Sequence, residues 1–73
     1  MADYKVEVIQ KLGVISETKA GWTKEVRLIS WNGNEPKYDI RDWSADDKIV
    51  GKGIVLSQDE VKELRNILNS IDL

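Results

Sequence analysis

The sequence predicts an α+β fold in which a four-stranded antiparallel β-sheet is followed by one C-terminal α-helix, in the order β-β-β-β-α. Two observations predict it: apolar and polar residues alternate, with hairpin signals between them, up to about residue 56, and a helix-capping sequence then opens an amphipathic segment. With 73 residues, the chain is expected to form one domain, residues 1–73. A chain of this length buries only about 60% of its unfolded surface, so we expect a partner subunit to add stability.

The first two strands are predicted from a side-chain period of two. Tyr4, Val6 and Val8 alternate with charged residues, and the pattern continues to about Ser16, with a bulge expected at Gly13. After a turn at residues 19–21, a second strand is predicted from about residue 22 to residue 31. Its alternation separates two groups of side chains: Val26 and Leu28 on one face, and Glu25, Arg27, Ile29 and Trp31 on the other.

The next two strands follow a hairpin signal. Asn32-Gly33-Asn34 predicts a tight turn because Asn and Gly both tolerate positive φ. Pro36 opens a third strand, and Ser44 to Asp47 are predicted to form a loop. Gly51-Lys52-Gly53 is interpreted as a sharp turn into a short fourth strand, residues 54–56.

The helix is predicted from Ser57 and Glu60, which have the spacing of a capping box. The apolar residues that follow lie within an arc of about 120°, as expected of a helix that packs on a sheet. Part of this stripe also has the spacing of a helix-pairing seam, which predicts a homodimer packed through its helices. The predicted dimer contacts are Val61, Leu64, Leu68 and Ile71.

Composition limits the chemistry of the chain. It contains no cysteine and no histidine, which excludes disulfides and thiolate ligands and removes the commonest general base. Asp46 and Asp47 are interpreted as solvent-facing loop acids, and Gly51-Lys52-Gly53 lacks the spacing of a nucleotide-binding loop. We therefore expect a protein that is not an enzyme and that holds neither a metal nor a small-molecule cofactor.

Charge and hydropathy indicate where the protein works. No apolar run approaches the roughly 20 residues of a membrane span, and the first residues lack the apolar core of a secretory signal, so a cytoplasmic protein without a membrane partner is expected. The net charge of −2 argues mildly against a nucleic-acid partner. However, residues 57–73 contain two basic and four acidic residues, so this segment accounts for the whole net charge of −2.

One helix covers only one face of a four-stranded sheet, so the other face is expected to be open. Aromatic rings on such a face would stack on unpaired bases, and each stacked base would contribute about 1–3 kcal/mol to binding. The cations on the same face would bind phosphates. The same side chains also suit the anchors of a protein-protein interaction module. Each indole alone also fits ordinary packing over a small core, and each cation alone also fits a solvated charge or a partner for Glu25 or Asp39. Alternation places these residues on the open face: Arg27, Ile29, Trp31, Lys37, Arg41 and Trp43.

Two motifs make nearly the whole chain resemble a known family. The run Asp39-Ile40-Arg41-Asp42-Trp43 and the run Gly51-Lys52-Gly53-Ile54-Val55-Leu56-Ser57, followed by an amphipathic helix, resemble the transcriptional positive cofactor 4 (coactivator C-terminal domain) family. In its short length, the chain is similar to the bacterial YdbC-like branch of this family. This resemblance implies helix-mediated dimers whose sheets bind single-stranded DNA with little sequence specificity, in a role accessory to transcription, replication or repair.

The resemblance also implies site residues. Arg41, Trp43 and Lys52 match motif positions that bind the strand in the family, and Trp31 stands where the family has an aromatic residue. Trp43→Ala is therefore expected to weaken binding by about 1–3 kcal/mol without unfolding the domain. Nothing in the sequence identifies a group that reads the 2′-hydroxyl, so RNA stays open as a second ligand. Geometry alone adds four further residues to the site: Trp22, Lys24, Arg27 and Lys37.

Overall fold

The computed structural model describes residues 5–48 and 50–73. Its elements are β1 (Val6–Glu17), β2 (Thr23–Trp31), β3 (Lys37–Trp43), β4 (Val50–Leu56) and α1 (Gln58–Asn69). The strands form one antiparallel sheet in the order β1-β2-β3-β4, so strands that follow one another in the chain are neighbours in the sheet. This confirms the predicted α+β class and element order, while the expected strand start at Tyr4 lies outside the described residues.

Two tight turns set the register of the first three strands. Asn32 and Gly33 have φ angles of 54° and 75°, so the Asn-Gly hairpin between β2 and β3 is confirmed. The Asn32 side chain also accepts a hydrogen bond of 3.0 Å from the backbone N–H of Lys5, which ties β1 to this hairpin. The turn between β1 and β2 has Gly21 at φ 89°, a conformation that glycine adopts without strain.

Strand β1 contains three irregularities in its pairing with β2. The register shifts after Val8, Lys11 and Val14, and each shift leaves one residue of β1 without a partner. One bulge was expected, at Gly13, and the structure places it one residue earlier. Such bulges increase the local twist of a sheet and bend it. The unpartnered residues, all exposed and apolar, are Ile9, Leu12 and Ile15.

Strand β4 differs from the sequence prediction because Gly51-Lys52-Gly53 lies inside the strand. Gly53 pairs with Arg41 of β3, and a Cβ atom at Gly53 would lie only 2.1 Å from the Cβ of Arg41. The interpretation of these glycines as a turn is therefore wrong. At Gly53 the chain requires glycine because two strands approach closely, not because of a turn.

Helix α1 begins with the predicted capping box. The Ser57 hydroxyl accepts a hydrogen bond of 3.2 Å from the backbone N–H of Glu60, and the Glu60 carboxylate accepts one of 2.8 Å from the N–H of Ser57. The helix contacts β3 and β4, but none of its own residues is buried. Much of its apolar stripe therefore stays exposed in a single chain.

Five of the seven buried residues among those described lie on the sheet face that was expected to be open. We call this face, which carries Trp31 and Trp43, the ring face, and the opposite face, which carries Val26 and Leu28, the aliphatic face. The expectation that the centre of the ring face is exposed is wrong, because its side chains pack on one another and exclude solvent, whereas Val26 and Leu28 are only half-buried. The buried residues of the ring face are Glu25, Arg27, Ile29, Asp39 and Trp43.

Candidate nucleic-acid interface

The ring face is organised by an acid-x-Arg sequence that occurs once in each central strand. In β2, the Oε1 atom of Glu25 accepts a hydrogen bond of 2.9 Å from the Nε of Arg27, and the Nη2 of Arg27 forms an ion pair of 2.8 Å with the same oxygen. In β3, Asp39 accepts a hydrogen bond from the Nε of Arg41. Residues two apart in a strand lie on the same face, so each acid fixes its own arginine. Pairing with Glu25 or Asp39 was an alternative that the sequence left open for these cations, and the structure shows it for both arginines.

Each arginine lies over an indole of the neighbouring strand. The guanidinium carbon of Arg27 is 3.8 Å from the centroid of the Trp43 ring, and that of Arg41 is 4.8 Å from the centroid of the Trp31 ring. At these distances a cation is attracted to the negative face of an aromatic ring. The two rings and two arginines that alternation predicted to share a face are thus in contact.

The two ring-arginine pairs differ in their access to solvent. Trp43 is 3% exposed and Arg27 is 1% exposed, so this pair is part of the core. The indole N–H of Trp43 is buried without a hydrogen-bond acceptor in the part of the chain that the structure describes. Trp31 is half-buried, and its Nε1 atom donates a hydrogen bond of 3.3 Å to Asp39. Of the two rings, only that of Trp31 can receive a ligand without rearrangement.

The ring of Trp31 borders an open groove of about 460 Å³. Arg41 also lines this groove, and its Nη1 atom donates a hydrogen bond of 3.2 Å to the carbonyl oxygen of Gly51, which holds the guanidinium group in place. No lining residue belongs to α1, so the helix leaves this part of the ring face uncovered. The other lining residues are apolar: Val6, Val50 and Val55.

A second, polar cavity of about 400 Å³ lies toward the loop between β3 and β4. Within this loop, Asp47 accepts hydrogen bonds from Lys11 at 3.2 Å and from Arg27 at 3.1 Å. The hydrogen bond from Arg27, followed by that from Lys11, holds the pKa of Asp47 below its ordinary value against the opposing effect of partial burial. Asp47, which was expected to face only solvent, is therefore ionised and connects β1 to β2 through its hydrogen bonds with Lys11 and Arg27.

Asp46, the neighbouring loop acid, has a local role. Its carboxylate accepts hydrogen bonds from the Ser44 hydroxyl at 2.8 Å and from the backbone N–H of Lys48 at 3.1 Å. The bond from Ser44, followed by that from Lys48, lowers the pKa of Asp46. Asp46 therefore stabilises the turn in which Asp47 has a left-handed φ of 60°.

The remaining predicted binding residues are dispersed. Lys37 is exposed on the ring face, where it pairs with Ile29, and Lys52 is exposed on the edge strand β4. Lys24 lies on the aliphatic face, where it forms an ion pair of 3.4 Å with Asp42. The structure thus brings Lys37, but not Lys24, onto the face of the two rings.

Trp22 lies away from the other two indoles. It is half-buried and lies beside Gly51, at which an added Cβ atom would be 3.5 Å from the Trp22 ring and 3.0 Å from the Cβ of Asp42. Because Asp42 is on the aliphatic face, the structure does not bring Trp22 together with Trp31 and Trp43.

The predicted dimer contacts divide into two pairs. Val61 and Leu64 are half-buried, whereas Leu68 and Ile71 are 47% and 48% exposed. Leu68 in α1 and Ile71, two residues past the end of α1, therefore present an apolar surface that the described part of this chain does not cover.

Two other classes of site, a metal centre and a membrane-spanning helix, are absent from the part of the chain that the structure describes. Residues 5–48 and 50–73 contain no group of three or more Cys, His, Asp and Glu side chains arranged to hold a metal ion. Within the same residues, no helix has both the length and the apolar character that a membrane crossing requires.

Comparisons with known proteins match most of the chain to one family. A model of the family described as Transcriptional Coactivator p15 (PC4) matches residues 18–67, which is well over half of the chain. An uncharacterized protein of Treponema pallidum (strain Nichols) is 45% identical over 71 residues, which cover 97% of this chain and 84% of that relative. The family match contains both rings and both arginines of the ring face.

Proposed function

The chain belongs to the Transcriptional Coactivator p15 (PC4) family, and from this premise we propose that it is a homodimer that binds single-stranded DNA on the ring face. The family consists of nucleic-acid-binding coactivator domains that bind single-stranded DNA. We propose binding with little sequence specificity, in a non-enzymatic role accessory to transcription, replication or repair in the bacterial cytoplasm.

The observation that carries this proposal is the position of the Trp31 ring. Arg41 lies over the ring, and the groove of about 460 Å³ lies beside it. A base that enters this groove can stack on the indole while its phosphate meets the guanidinium group of Arg41. Every base has a π-face, so stacking of this kind does not select a sequence.

Other predicted residues take supporting parts in this proposal. Lys37 and Lys52 are exposed and available to neighbouring phosphates. Arg27 and Trp43, which are buried, stabilise the ring face rather than receiving a base directly. Trp22 and Lys24 lie outside the proposed groove and remain predictions from the sequence.

The proposed homodimer is supported by the exposed part of α1. A helix whose apolar side chains are about half-exposed loses part of the hydrophobic stabilisation that burial gives, about 25 cal/mol per Å². Pairing of two such helices across a two-fold axis would cover Leu68 and Ile71 in both copies. The dimer would then present two ring faces, one from each chain.

A protein-protein interaction module is the second candidate function, and it would use the same face. The observation that favours it is the apolar exposure of β1, where Val14 is 60% exposed and Val8 is 37% exposed on the ring face. The salt dependence of the binding affinity distinguishes the two functions. Binding through phosphates weakens steeply with added salt, whereas an apolar interface changes little.

The test is a titration of the wild-type protein with a short oligothymidine, followed by tryptophan fluorescence. We expect quenching and a salt dependence with a slope of about −0.7 for each phosphate contact in a plot of log K against log salt. Trp31→Leu removes the ring and is expected to raise Kd roughly 5- to 150-fold, equivalent to about 1–3 kcal/mol.

Trp31→Phe is the matched control because it keeps a ring but loses the hydrogen bond to Asp39. It should retain most of the affinity, and circular dichroism checks that both variants are folded. An oligouridine of equal length tests RNA as a second ligand. Absence of binding to either oligonucleotide at low salt would refute the proposed function.

A further inference from the structure

The carboxylate of Asp47 bridges two cations that are distant in sequence. Its Oδ2 atom is 3.2 Å from the Nζ of Lys11 on β1, and its Oδ1 atom is 3.1 Å from the Nη2 of Arg27 on β2. The Asp47 side chain is 44% exposed, whereas that of Arg27 is 1% exposed. Asp47 therefore stands between Arg27 and solvent.

The contacts of Asp47 hold this loop against the sheet. Asp47 has a φ of 60°, a left-handed conformation that aspartate and asparagine adopt less readily than glycine but more readily than other residues. Arg27, which Asp47 contacts, lies over the ring of Trp43, whose indole N–H is buried without an acceptor among the described residues. The ion pairs of Asp47 are electrostatic contacts, which another anion can replace.

The charges of the closed cluster balance. Lys11 and Arg27 are matched by Glu25 and Asp47, and departure of Asp47 leaves one uncompensated positive charge. A phosphodiester carries one negative charge and presents oxygen acceptors, so it can take the place of one carboxylate. Glu17 and Asp46 also line the cavity and repel a phosphate that arrives while Asp47 is in place. Exchange of one anion for the other is therefore favoured over simple addition.

We propose that Lys11 and Arg27 form a phosphodiester subsite that Asp47 occupies in the free protein as an internal competitor. This inference rests on the proposed binding of single-stranded nucleic acid. A backbone phosphate displaces the Asp47 carboxylate, and the loop of residues 44–48 moves away from Arg27 and Trp43. No covalent bond changes. Asp47 thus lowers the affinity of the ring face for single strands.

The exchange has a characteristic salt dependence. In the wild type, added salt screens both the phosphate contact and the Asp47 ion pairs that compete with it, so the two effects partly cancel. In Asp47→Asn the competing ion pairs are absent, and salt weakens only the phosphate contact. The salt slope of binding should therefore be steeper in Asp47→Asn than in Asp46→Asn.

The test compares Asp47→Asn with Asp46→Asn. Asparagine tolerates left-handed φ well, so the first substitution removes the charge without adding backbone strain. The second substitution changes the net charge equally and lies in the same turn, while its amide oxygen still accepts the hydrogen bonds from Ser44 and Lys48. Any difference between the two variants therefore reports the contacts of Asp47 rather than total charge.

We expect Asp47→Asn to bind oligothymidine about three- to tenfold more tightly than Asp46→Asn, with the steeper salt slope. Lys11→Gln should weaken binding more in the Asp47→Asn background than in the wild type. In the wild type, the substitution removes a phosphate contact but also removes one of the ion pairs that hold Asp47 in the subsite, so the two effects partly offset each other. Equal affinities and equal slopes for the two asparagine variants would overturn the proposal.

A second measurement on the free protein does not depend on binding. Solvent exchange of the Trp43 indole proton, observed by NMR and assigned with Trp43→Phe, should be faster in Asp47→Asn than in Asp46→Asn. If exchange is equal in both, the loop is not held by Asp47 and the proposal is wrong. If no variant binds a single strand at low salt, the proposed function fails and the subsite with it, whereas equal binding by all variants refutes the subsite alone.

Discussion

The guanidinium carbon of Arg27 lies 3.8 Å from the centroid of the Trp43 ring, and the pair is buried at the centre of the sheet. The related contact between Arg41 and Trp31 is looser, at 4.8 Å, and lies beside an open groove. One cation-ring pair therefore belongs to the core, and the other belongs to the candidate interface. This division determines what each substitution on the ring face should do.

Trp43→Ala is expected to reduce the free energy of unfolding by about 3–5 kcal/mol, because it removes a ring that is 3% exposed and takes away the surface on which Arg27 lies. The measurement is urea denaturation followed by circular dichroism. Trp43→Phe keeps a ring under Arg27 and should lose much less. A Trp43→Ala protein with wild-type stability but weaker DNA binding would instead support the stacking role expected from the sequence.

Glu25→Gln is expected to reduce the free energy of unfolding by about 3 kcal/mol, because it leaves the buried Arg27 with Asp47 as its one charged partner among the described residues. The double variant Glu25→Gln/Arg27→Met removes the stranded charge as well and should be more stable than Glu25→Gln alone. Denaturation of Glu25→Gln, of Arg27→Met and of the double variant gives the coupling energy. Strictly additive losses would show that the pair does not act as a unit.

The fold was predictable from the sequence only in part. Period-two alternation, the Asn-Gly hairpin and the capping box depend on neighbouring residues, and all three are confirmed. The place of Gly51-Lys52-Gly53 was not predictable in this way, because the close approach of Gly53 to Arg41 involves another strand. Glycine permits a turn and a close approach equally, so the local sequence does not separate them.

The candidate site shows a similar division. Alternation placed Trp31, Arg41, Trp43 and Arg27 on one face, and the strand register confirms this. It did not show that Arg27 and Trp43 are buried, because burial here comes from cross-strand packing of a guanidinium group on a ring. The contact of Asp47 with Lys11 spans 36 residues and has no local signature.

Gly53→Ala and Gly13→Ala form a matched pair of tests for the sheet. A Cβ atom at Gly53 would lie 2.1 Å from the Cβ of Arg41, whereas nothing lies within 4 Å of one at Gly13. We expect Gly53→Ala to destabilise the fold by at least about 2 kcal/mol and Gly13→Ala to be nearly neutral. Thermal unfolding of both variants is the measurement, and equal melting temperatures would contradict the close approach of β3 and β4.

Leu68→Lys is expected to convert the proposed dimer to a monomer, because it places a charge in the exposed apolar stripe of α1. Asn66→Lys adds the same charge on the opposite side of the helix and should leave the dimer intact. Light scattering coupled to size-exclusion chromatography gives the mass of each protein. A monomeric wild type, or a dimer that survives Leu68→Lys, would show that the helices do not form the interface.

The central claim, that single strands bind at the Trp31 groove of the ring face, is tested most directly by an NMR titration of the wild-type protein with single-stranded and duplex DNA. The three tryptophan indole signals report on different places: Trp31 in the groove, Trp43 in the core and Trp22 beside the aliphatic face. We predict that single-stranded DNA shifts the Trp31 signal and the backbone signals of Arg41 more than the Trp22 signal, and that duplex DNA has a much smaller effect. Shifts confined to Trp22 and the aliphatic face, or equal shifts with duplex, would contradict the account.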